Sequence, residues 1–266
     1  MKTYLVSDIH GQYQVFRQIL AEAHFSPDAG DRLYVLGDIV DRGPQSRECL
    51  LWLYELQQKY PRQIVVIKGN HEQLLEDWLL GKTEGAQYFL YGGEATIRSF
   101  LRDTPLRRSF LHHAPPREAQ EEARQAIRSH DPFLLPYLQS LPLYREEMPD
   151  GETGAPAVIF VHAGVRPGRS LSQQSPVDLL WIREEFYNQY AGDATVVFGH
   201  TPVTLLPGYA GQGIWQREKM IGIDGGAGFW RGLLLVEWPS LQTRYLPVTA
   251  AASAPAIHLF PHRSSI

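Results

Sequence analysis

Short apolar runs rich in β-branched and aromatic residues recur along the chain, and each run ends at Gly, Asp or Pro. Runs of this kind are typical of buried strands. They predict strands at Thr3–Ser7, Arg32–Leu36, Ile64–Lys68, Ala157–Val161, Thr195–Phe198, Met220–Ile223, Leu233–Glu237 and Thr243–Leu246.

Apolar residues at helical spacing lie between the first predicted strands. Gln14–Ala23 carries Val15, Phe16 and Ile19 on one face, and Ser46–Gln58 shows the same periodicity. The start of the chain therefore follows the order strand, helix, strand, helix, strand. This order favours a layered α/β arrangement.

The stretch from about 73 to 144 has a different pattern, because it lacks strand candidates and is mostly helical, most clearly over Glu118–Ile127. We interpret it as a helical insertion between two strand-rich halves of a single domain that covers residues 1–248. Residues 249–266 are rich in Ala, Ser, Pro and His. Such a composition at a terminus predicts a poorly ordered tail.

Composition excludes several classes of protein. The chain has 266 residues, a net charge of −4 and 20% charged residues, which is ordinary globular usage and argues against a dedicated nucleic-acid binder. The chain has one cysteine, Cys49, so an intrachain disulfide is excluded. We interpret Cys49 as a buried residue of the predicted helix Ser46–Gln58. The sequence has no signal-peptide pattern and no apolar run of roughly 18–20 residues. We therefore expect a soluble, cytoplasmic protein without a membrane partner.

Polar clusters follow five of the predicted strands, at the positions where open α/β sheets place their sites. The clusters are Ser7–Gly11, Gly37–Gly43, Gly69–Glu72, Val161–Gly164 and Phe198–Thr201. Together they supply carboxylate, imidazole and amide groups, a mixture that suits divalent metal ions.

Two neighbouring ions need a shared anion to offset their repulsion, and Asp38 is the candidate bridge. Asp8 and His10 are two residues apart, so an extended strand would direct both side chains to one side. Asn70, His162 and His200 can complete the ligands of the second ion. The residues thus predict a dinuclear metal centre at the strand ends.

The order of these motifs resembles the calcineurin-like metallophosphoesterase superfamily. The motifs are Asp8-x-His10, Gly37-Asp38-x-Val40-Asp41-Arg42-Gly43, Gly69-Asn70-His71-Glu72, His162-Ala163-Gly164 and Gly199-His200-Thr201-Pro202. The Val-Asp-Arg-Gly and Asn-His-Glu forms are similar to the phosphoprotein phosphatase branch, and Leu180–Glu184 is similar to bacterial and phage-type serine/threonine phosphatases. The resemblance implies two packed mixed β-sheets flanked by helices.

The resemblance also implies a role for each matching residue. Asp8, His10 and Asp38 would hold the first ion, and Asp38, Asn70, His162 and His200 the second. His71 would act as the general acid, oriented by Asp41, whose charge would keep His71 protonated to higher pH. Arg42 and Arg183 would bind phosphate oxygens together with Asn70. The ions would be manganese, with iron or zinc as alternatives.

The leading functional hypothesis is hydrolysis of phosphoserine and phosphothreonine by a metal-bridging hydroxide. The first alternative is a dinucleoside polyphosphate hydrolase. Symmetrical hydrolases of the superfamily commonly lack the acid of Val-Asp-Arg-Gly and have Asn-His-Asp in place of Asn-His-Glu, so Asp41 and Glu72 favour the phosphatase without excluding asymmetric hydrolysis. The second alternative is a non-catalytic metal-binding scaffold. The expected partners are a phosphorylated protein or peptide, or a phosphorylated small molecule or nucleotide. Aromatic residues such as Tyr91 and Trp181 are interpreted as packing rather than as base-stacking surfaces.

Overall fold

The structure, a computed structural model, describes residues 1–83, 85–102, 104–111, 115–148, 157–211 and 213–249. Except for Met148 and Thr249, two predicted segments therefore lie outside the described residues: the turn-rich connector Met148–Pro156 and the tail over 249–266. Within the described ranges, no helix is both long enough and apolar enough to cross a membrane.

The strands form two five-stranded sheets, with the orders β10-β9-β1-β2-β3 and β4-β5-β6-β8-β7. The strands of the first sheet are β1 (Thr3–Val6), β2 (Arg32–Val35), β3 (Ile64–Val66), β9 (Gly232–Trp238) and β10 (Gln242–Pro247). Those of the second are β4 (Tyr144–Glu147), β5 (Val158–Val161), β6 (Thr195–Phe198), β7 (Trp215–Arg217) and β8 (Met220–Gly222).

Helices cover the sheets and fill the segment between the two halves. They are α1 (Tyr13–Glu22), α2 (Ser46–Lys59), α3 (Asn70–Leu79), α4 (Gly85–Phe89), α5 (Gly93–Leu101), α6 (Arg117–His130), α7 (Leu134–Ser140), α8 (Pro176–Trp181) and α9 (Glu184–Gln189).

Both sheets are mixed. In the first, β1, β2 and β3 run parallel while β9 and β10 pair antiparallel. In the second, β5, β6 and β8 run parallel while β4 and β7 are antiparallel edges. The parallel strands bring their carboxyl ends to one edge of each sheet, where the polar clusters of the sequence begin.

Alternation along the strands decides which layer each side chain joins. Leu5 and Tyr34 of the first sheet pack with Phe160 and Val197 of the second in one shared core. Their neighbours Tyr4, Val6, Leu33 and Val35 point outward to a core that includes α1, α2 and α3. Ile159, Val161, Val196 and Phe198 pack against α8 and α9 instead. The predicted architecture of two packed mixed sheets flanked by helices is confirmed.

The hydrophobic pattern of the sequence does not predict β4 and β7, the two edge strands of the second sheet. β4 reads Tyr-Arg-Glu-Glu and β7 reads Trp-Gln-Arg, and neither is a continuous apolar run. An edge strand has one paired side and one face open to water, so it needs few apolar residues. In the segment predicted as an insertion, the described residues form α3 to α7 and short 3-10 turns before β4 begins.

Phe160 tests whether the two sheets share one core. Its ring lies 4.7 Å from that of Tyr34 and is fully buried. Phe160→Ala should lower the free energy of unfolding by about 3–5 kcal/mol, because it leaves a cavity between the sheets. Urea denaturation measures the loss, with Tyr245→Ala on exposed β10 as the control. A loss no larger than that of the control would contradict the shared core.

Candidate metal centre and active site

Tight turns, rather than extended strands, bring the predicted ligands together. The backbone φ is positive at Asp8 (54°) and His10 (46°), so the chain has already left the strand geometry at both residues. The expectation that an extended strand directs them to one side was therefore wrong. Left-handed backbone also occurs at Asp38, Asp41, Arg42 and His200. Such strain in non-glycine residues is concentrated at functional sites in proteins.

Glycines allow the loops to approach one another closely. Gly37 has φ +83°, and a Cβ there would lie 2.6 Å from the Cα of Gly69. A Cβ on Gly199 would overlap the side chains of Ser7 and Asp8. Loops from the two sheets therefore meet only because these positions lack side chains.

Glu72 fixes the positions of two of these loops. Its carboxylate accepts hydrogen bonds from the backbone N–H groups of Asp38 (2.8 Å), Ile39 (2.8 Å), Val40 (3.3 Å) and Gly69 (2.8 Å). Glu72 is the third residue of α3, and its bond to the backbone N–H of the N-cap residue Gly69 is one half of a capping box. This role of Glu72 has no full signature in the sequence, because the helix-start pattern that ends in Glu begins with Ser, Thr, Asp or Asn and not with glycine.

Asp38 lies at the centre of the cluster. One carboxylate oxygen lies 3.3 Å from Nε2 of His162, and the other lies 3.7 Å from Nε2 of His10 and 3.8 Å from Nε2 of His71. Two sets of ligand atoms, each within 4.8 Å of one another, share this residue: His10, Asp38 and His71, and Asp38, His162 and His200. Distance alone therefore places His71 as near to the first position as His10.

The second set of ligand atoms joins the two sheets. His162 follows β5, and its Nδ1 lies 2.8 Å from the carbonyl oxygen of Leu36 beyond β2. Its Nε2 lies 2.8 Å from Oδ1 of Asn70 and 3.1 Å from Nδ1 of His200. Among the described residues, Nε2 of His200 is buried without a hydrogen-bond partner. A buried polar atom without a partner is costly unless a ligand binds there.

Asp8 lies against both sheets, because its carboxylate accepts a hydrogen bond from the backbone N–H of His200 (2.9 Å) and one from the hydroxyl of Ser7. Burial raises the pKa of Asp8, and the nearby carboxylate of Asp224 raises it further. Asp224 follows β8 and is itself buried, with a pKa raised to about 6 by burial. The sequence analysis gave Asp224 no site role, although its strand-end position matches that of the other clusters.

His71 and Asp41 form a buried pair. Nδ1 of His71 lies 2.7 Å from Oδ2 of Asp41. The other oxygen of Asp41 accepts hydrogen bonds from the hydroxyls of Tyr88 (2.8 Å) and Thr96 (2.6 Å). The predicted pairing of His71 with Asp41 is present. The hydroxyls of Tyr88 in α4 and Thr96 in α5 also hold Asp41 in place, and the sequence pattern did not indicate this.

The pKa shifts of His71 and Asp41 differ from the expectation. Burial lowers the pKa of His71 well below its usual range, and the charge of Arg42 lowers it further. Burial raises the pKa of Asp41 to about 7. The expectation that Asp41 keeps His71 protonated to higher pH is therefore corrected, because desolvation of the imidazolium is the larger effect.

The two predicted phosphate-binding arginines lie on different sides of the cluster. Nη1 of Arg42 lies 3.0 Å from Nε2 of His10, and Nη2 lies 3.2 Å from Nε2 of His71. Its guanidinium also lies over the ring of Phe229 at 4.6 Å. Arg183 is exposed and donates to the hydroxyl of Thr201, next to His200. Both arginines therefore have a guanidinium near the cluster where a phosphate could bind.

The donor set fits divalent metal ions. Burial raises the pKa of Asp38 and lowers the pKa of His10, His200 and His162, the last to about 3. Neutral imidazole nitrogens beside carboxylates are the form in which these groups bind metals. The partnerless Nε2 of His200 points to the same conclusion. No ion is part of the structure, so the assignment rests on these groups.

Comparison with known proteins agrees with this geometry. Residues 1–224 match the family model described as calcineurin-like phosphoesterase. The chain belongs to the calcineurin-like phosphoesterase family. The match includes every residue that the sequence analysis placed in the site and ends at Asp224.

Curated proteins that are similar to the chain include dinucleoside tetraphosphatases. The chain is 26% identical to the asymmetrical bis(5'-nucleosyl)-tetraphosphatase PrpE of a Geobacillus species, over 93% of this chain and 94% of that protein. It is 37% identical to the symmetrical bis(5'-nucleosyl)-tetraphosphatase of Pseudomonas entomophila, over 44% of this chain and 40% of that protein.

A solved structure supports the fold. A protein solved as a candidate diadenosine tetraphosphatase superposes with a TM-score of 0.59 at 20% identity, covering 92% of this chain and 93% of that one. At this identity the likeness shows only that the two proteins share a fold.

Asp38→Asn tests the sharing of one carboxylate by both ions. The amide keeps the shape of the side chain but removes the charge that would offset two cations. We expect the variant to hold at most one manganese ion per chain after dialysis, against two in the wild type, by elemental analysis. Asp28→Asn, on an exposed turn, is the matched control. Two tightly held ions in Asp38→Asn would contradict the bridge.

His162 should make the metal-free protein sensitive to acid. The folded state keeps His162 neutral to about pH 3, whereas the unfolded chain binds a proton near pH 6.5. Acid therefore favours unfolding, and this residue should contribute about 1.4 kcal/mol of lost stability per pH unit below 6.5.

Urea denaturation at several pH values, after removal of metal by chelation, measures this dependence. His162→Asn should show a shallower fall in the free energy of unfolding than the wild type. His24→Asn, which changes an exposed histidine, should keep the wild-type slope. Equal slopes for His162→Asn and the wild type would refute the assignment.

Proposed function

We propose that this calcineurin-like phosphoesterase is a metal-dependent hydrolase of dinucleoside polyphosphates that cuts asymmetrically. The observation that carries the proposal is the match to an asymmetrical tetraphosphatase over 93% of this chain and 94% of that relative. The match extends through the segment between the two halves, whereas the symmetrical relative matches over 44% of the chain.

The serine/threonine phosphatase hypothesis loses its main support from the sequence. Asp41 and Glu72 argued for it, but both carboxylates are fully buried and bonded to other groups. Glu72 binds backbone N–H groups, and Asp41 binds Tyr88, Thr96 and His71. Both acids therefore position other residues, and neither distinguishes a phosphopeptide from a nucleotide.

In this proposal Asp8, His10 and Asp38 would hold one ion, and Asp38, Asn70, His162 and His200 would hold the other. Manganese suits this set of oxygen and nitrogen ligands, as do iron and zinc. When bound, the ions supply a water of lowered pKa and offset the negative charge of the phosphate oxygens.

The other site residues bind the phosphate chain and handle the proton of the leaving group. Arg42 and Arg183 bind phosphate oxygens through their guanidinium groups. The oxygen of a water forms the new bond to phosphorus while the bond to the departing nucleotide oxygen breaks. Asp41 holds Nδ1 of His71, which leaves Nε2, on the side of Asp38, to donate a proton to the departing oxygen.

The proton balance of His71 favours a nucleotide as leaving group. Burial and Arg42 lower the pKa of His71, and two bound cations would lower it further. Only the small protonated fraction of His71 can then donate to an alkoxide, so a leaving group that must be protonated departs slowly even in the wild type. A departing phosphate, with a pKa of about 6, needs little protonation.

Product analysis tests the proposal. Manganese-loaded protein is incubated with diadenosine tetraphosphate, and the nucleotides are separated by HPLC. Equal amounts of ATP and AMP support asymmetric cleavage. Two ADP per substrate would overturn the asymmetry. Rapid phosphate release from a phosphoserine peptide, with diadenosine tetraphosphate left intact, would overturn the nucleotide assignment.

His71→Asn separates proton donation from metal binding. Loss of a general acid costs about 10²–10⁴ in rate when the leaving group needs a proton. We expect a loss in this range for a phosphoserine peptide and a smaller one for diadenosine tetraphosphate or p-nitrophenyl phosphate. The metal content should stay at the wild-type value by elemental analysis. A fall in metal content would instead identify His71 as a ligand, and equal losses on all substrates at normal metal content would refute the acid.

A further inference from the structure

Two partly exposed aromatic rings lie beside the cluster. The ring of Tyr91 lies 6.1 Å from that of His71 and 5.8 Å from that of Trp181, measured between centroids. Trp181 in turn lies 6.0 Å from His200. The Tyr91–Trp181 pair thus extends from the candidate acid His71 to the candidate ligand His200.

The exposure of this pair differs from that of the aromatic residues around it. Tyr91 is 37% exposed and Trp181 is partly exposed, whereas Trp78 and Tyr88 of the same region are fully buried. Tyr91 is therefore not a core residue, although its ring contacts those of His71 and Trp181. A packing role explains Trp78 and Tyr88, but it does not explain aromatic surface left in contact with water at a catalytic site.

The backbone fixes both rings relative to the phosphate-binding arginines. Gly92, next to Tyr91, accepts a hydrogen bond from the backbone N–H of Arg42 at 3.1 Å. Trp181 ends α8 two residues before Arg183, whose side chain donates to Thr201. Each ring is thus close in the fold to one arginine, as a base must be to its phosphates.

We propose that Tyr91 and Trp181, whose rings meet at 66°, bind one nucleobase of the dinucleoside polyphosphate, which stacks on one ring and contacts the edge of the other. The inference rests on the proposed function, because it assigns a base to the substrate whose phosphates the cluster and the two arginines would bind. Aromatic faces accept any base, since every base has a π-face. The site would therefore bind nucleotides broadly and would select against phosphates that carry no base.

The expected effect follows from the energy of stacking. Removal of an aromatic ring that stacks on a base typically weakens binding by roughly tenfold or more. Tyr91→Ala and Trp181→Ala should each raise the KM for diadenosine tetraphosphate by about that factor, with kcat changed much less. Tyr91→Phe keeps the ring and should restore the wild-type KM. Tyr245→Ala, which removes an exposed ring on β10, is the matched control.

A binding experiment isolates the base from the phosphate. AMP and ribose 5-phosphate carry the same phosphate group, but only AMP carries a base. Calorimetric titration of the manganese-loaded protein should show AMP binding more tightly than ribose 5-phosphate. Tyr91→Ala should weaken AMP binding about tenfold and leave ribose 5-phosphate binding unchanged.

Equal affinity of the wild type for the two ligands, or an equal loss for both in Tyr91→Ala, would overturn the inference. Cleavage of diadenosine tetraphosphate by the wild type is measured separately. If the protein cleaves diadenosine tetraphosphate but fails the binding test, only the stacking proposal is refuted. If the protein hydrolyses p-nitrophenyl phosphate but does not cleave diadenosine tetraphosphate, the proposed function is refuted as well.

Discussion

The site depends first on one buried carboxylate. Glu72 accepts hydrogen bonds from backbone N–H groups of the Asp38 loop and of the turn that begins α3. Burial alone raises the pKa of Glu72, while each of these backbone bonds lowers it. An acid in this position holds two strand-end loops together and thereby sets the separation of Asp38, Asn70 and His71. Without these bonds, a buried carboxylate would be strongly destabilising.

The strand-end loops bring buried carboxyl groups and imidazoles together, and burial disfavours the charged form of each. Burial raises the pKa of Asp8 and Asp38 and lowers the pKa of the surrounding histidines. The two sheets bring these groups into contact, since His162 follows β5 yet bonds to the carbonyl of Leu36 beyond β2. Divalent cations would bind these groups in their deprotonated forms, so we expect metal binding to stabilise the packing of the two sheets.

The groups in and around the cluster fall into two sets, one suited to cleaving a phosphate bond and one suited to recognising the rest of the substrate. In the proposed mechanism the inner groups, which are Asp41, His71 and the candidate ligands, would cleave a phosphate bond, and they do not distinguish one phosphate substrate from another. The outer groups, Arg42, Arg183, Tyr91 and Trp181, lie where the rest of a substrate would bind. Two cationic groups beside two partly exposed rings match a phosphate chain that ends in a base.

The sequence by itself determined the strands of both sheet centres and the residue types of the site, because buried parallel strands need continuous apolar runs and metal ligands need particular atoms. It missed the edge strands β4 and β7, whose pattern is weak for the reason that half of each strand faces water. It also failed to explain why Asp8 and His10 converge, since left-handed turns, not strand alternation, direct them. Only the tertiary structure decided the proton balance of His71, the supporting role of Glu72 and the exposure of Tyr91. These properties depend on which distant segments remove water from a side chain, and that contact has no signature in the local sequence.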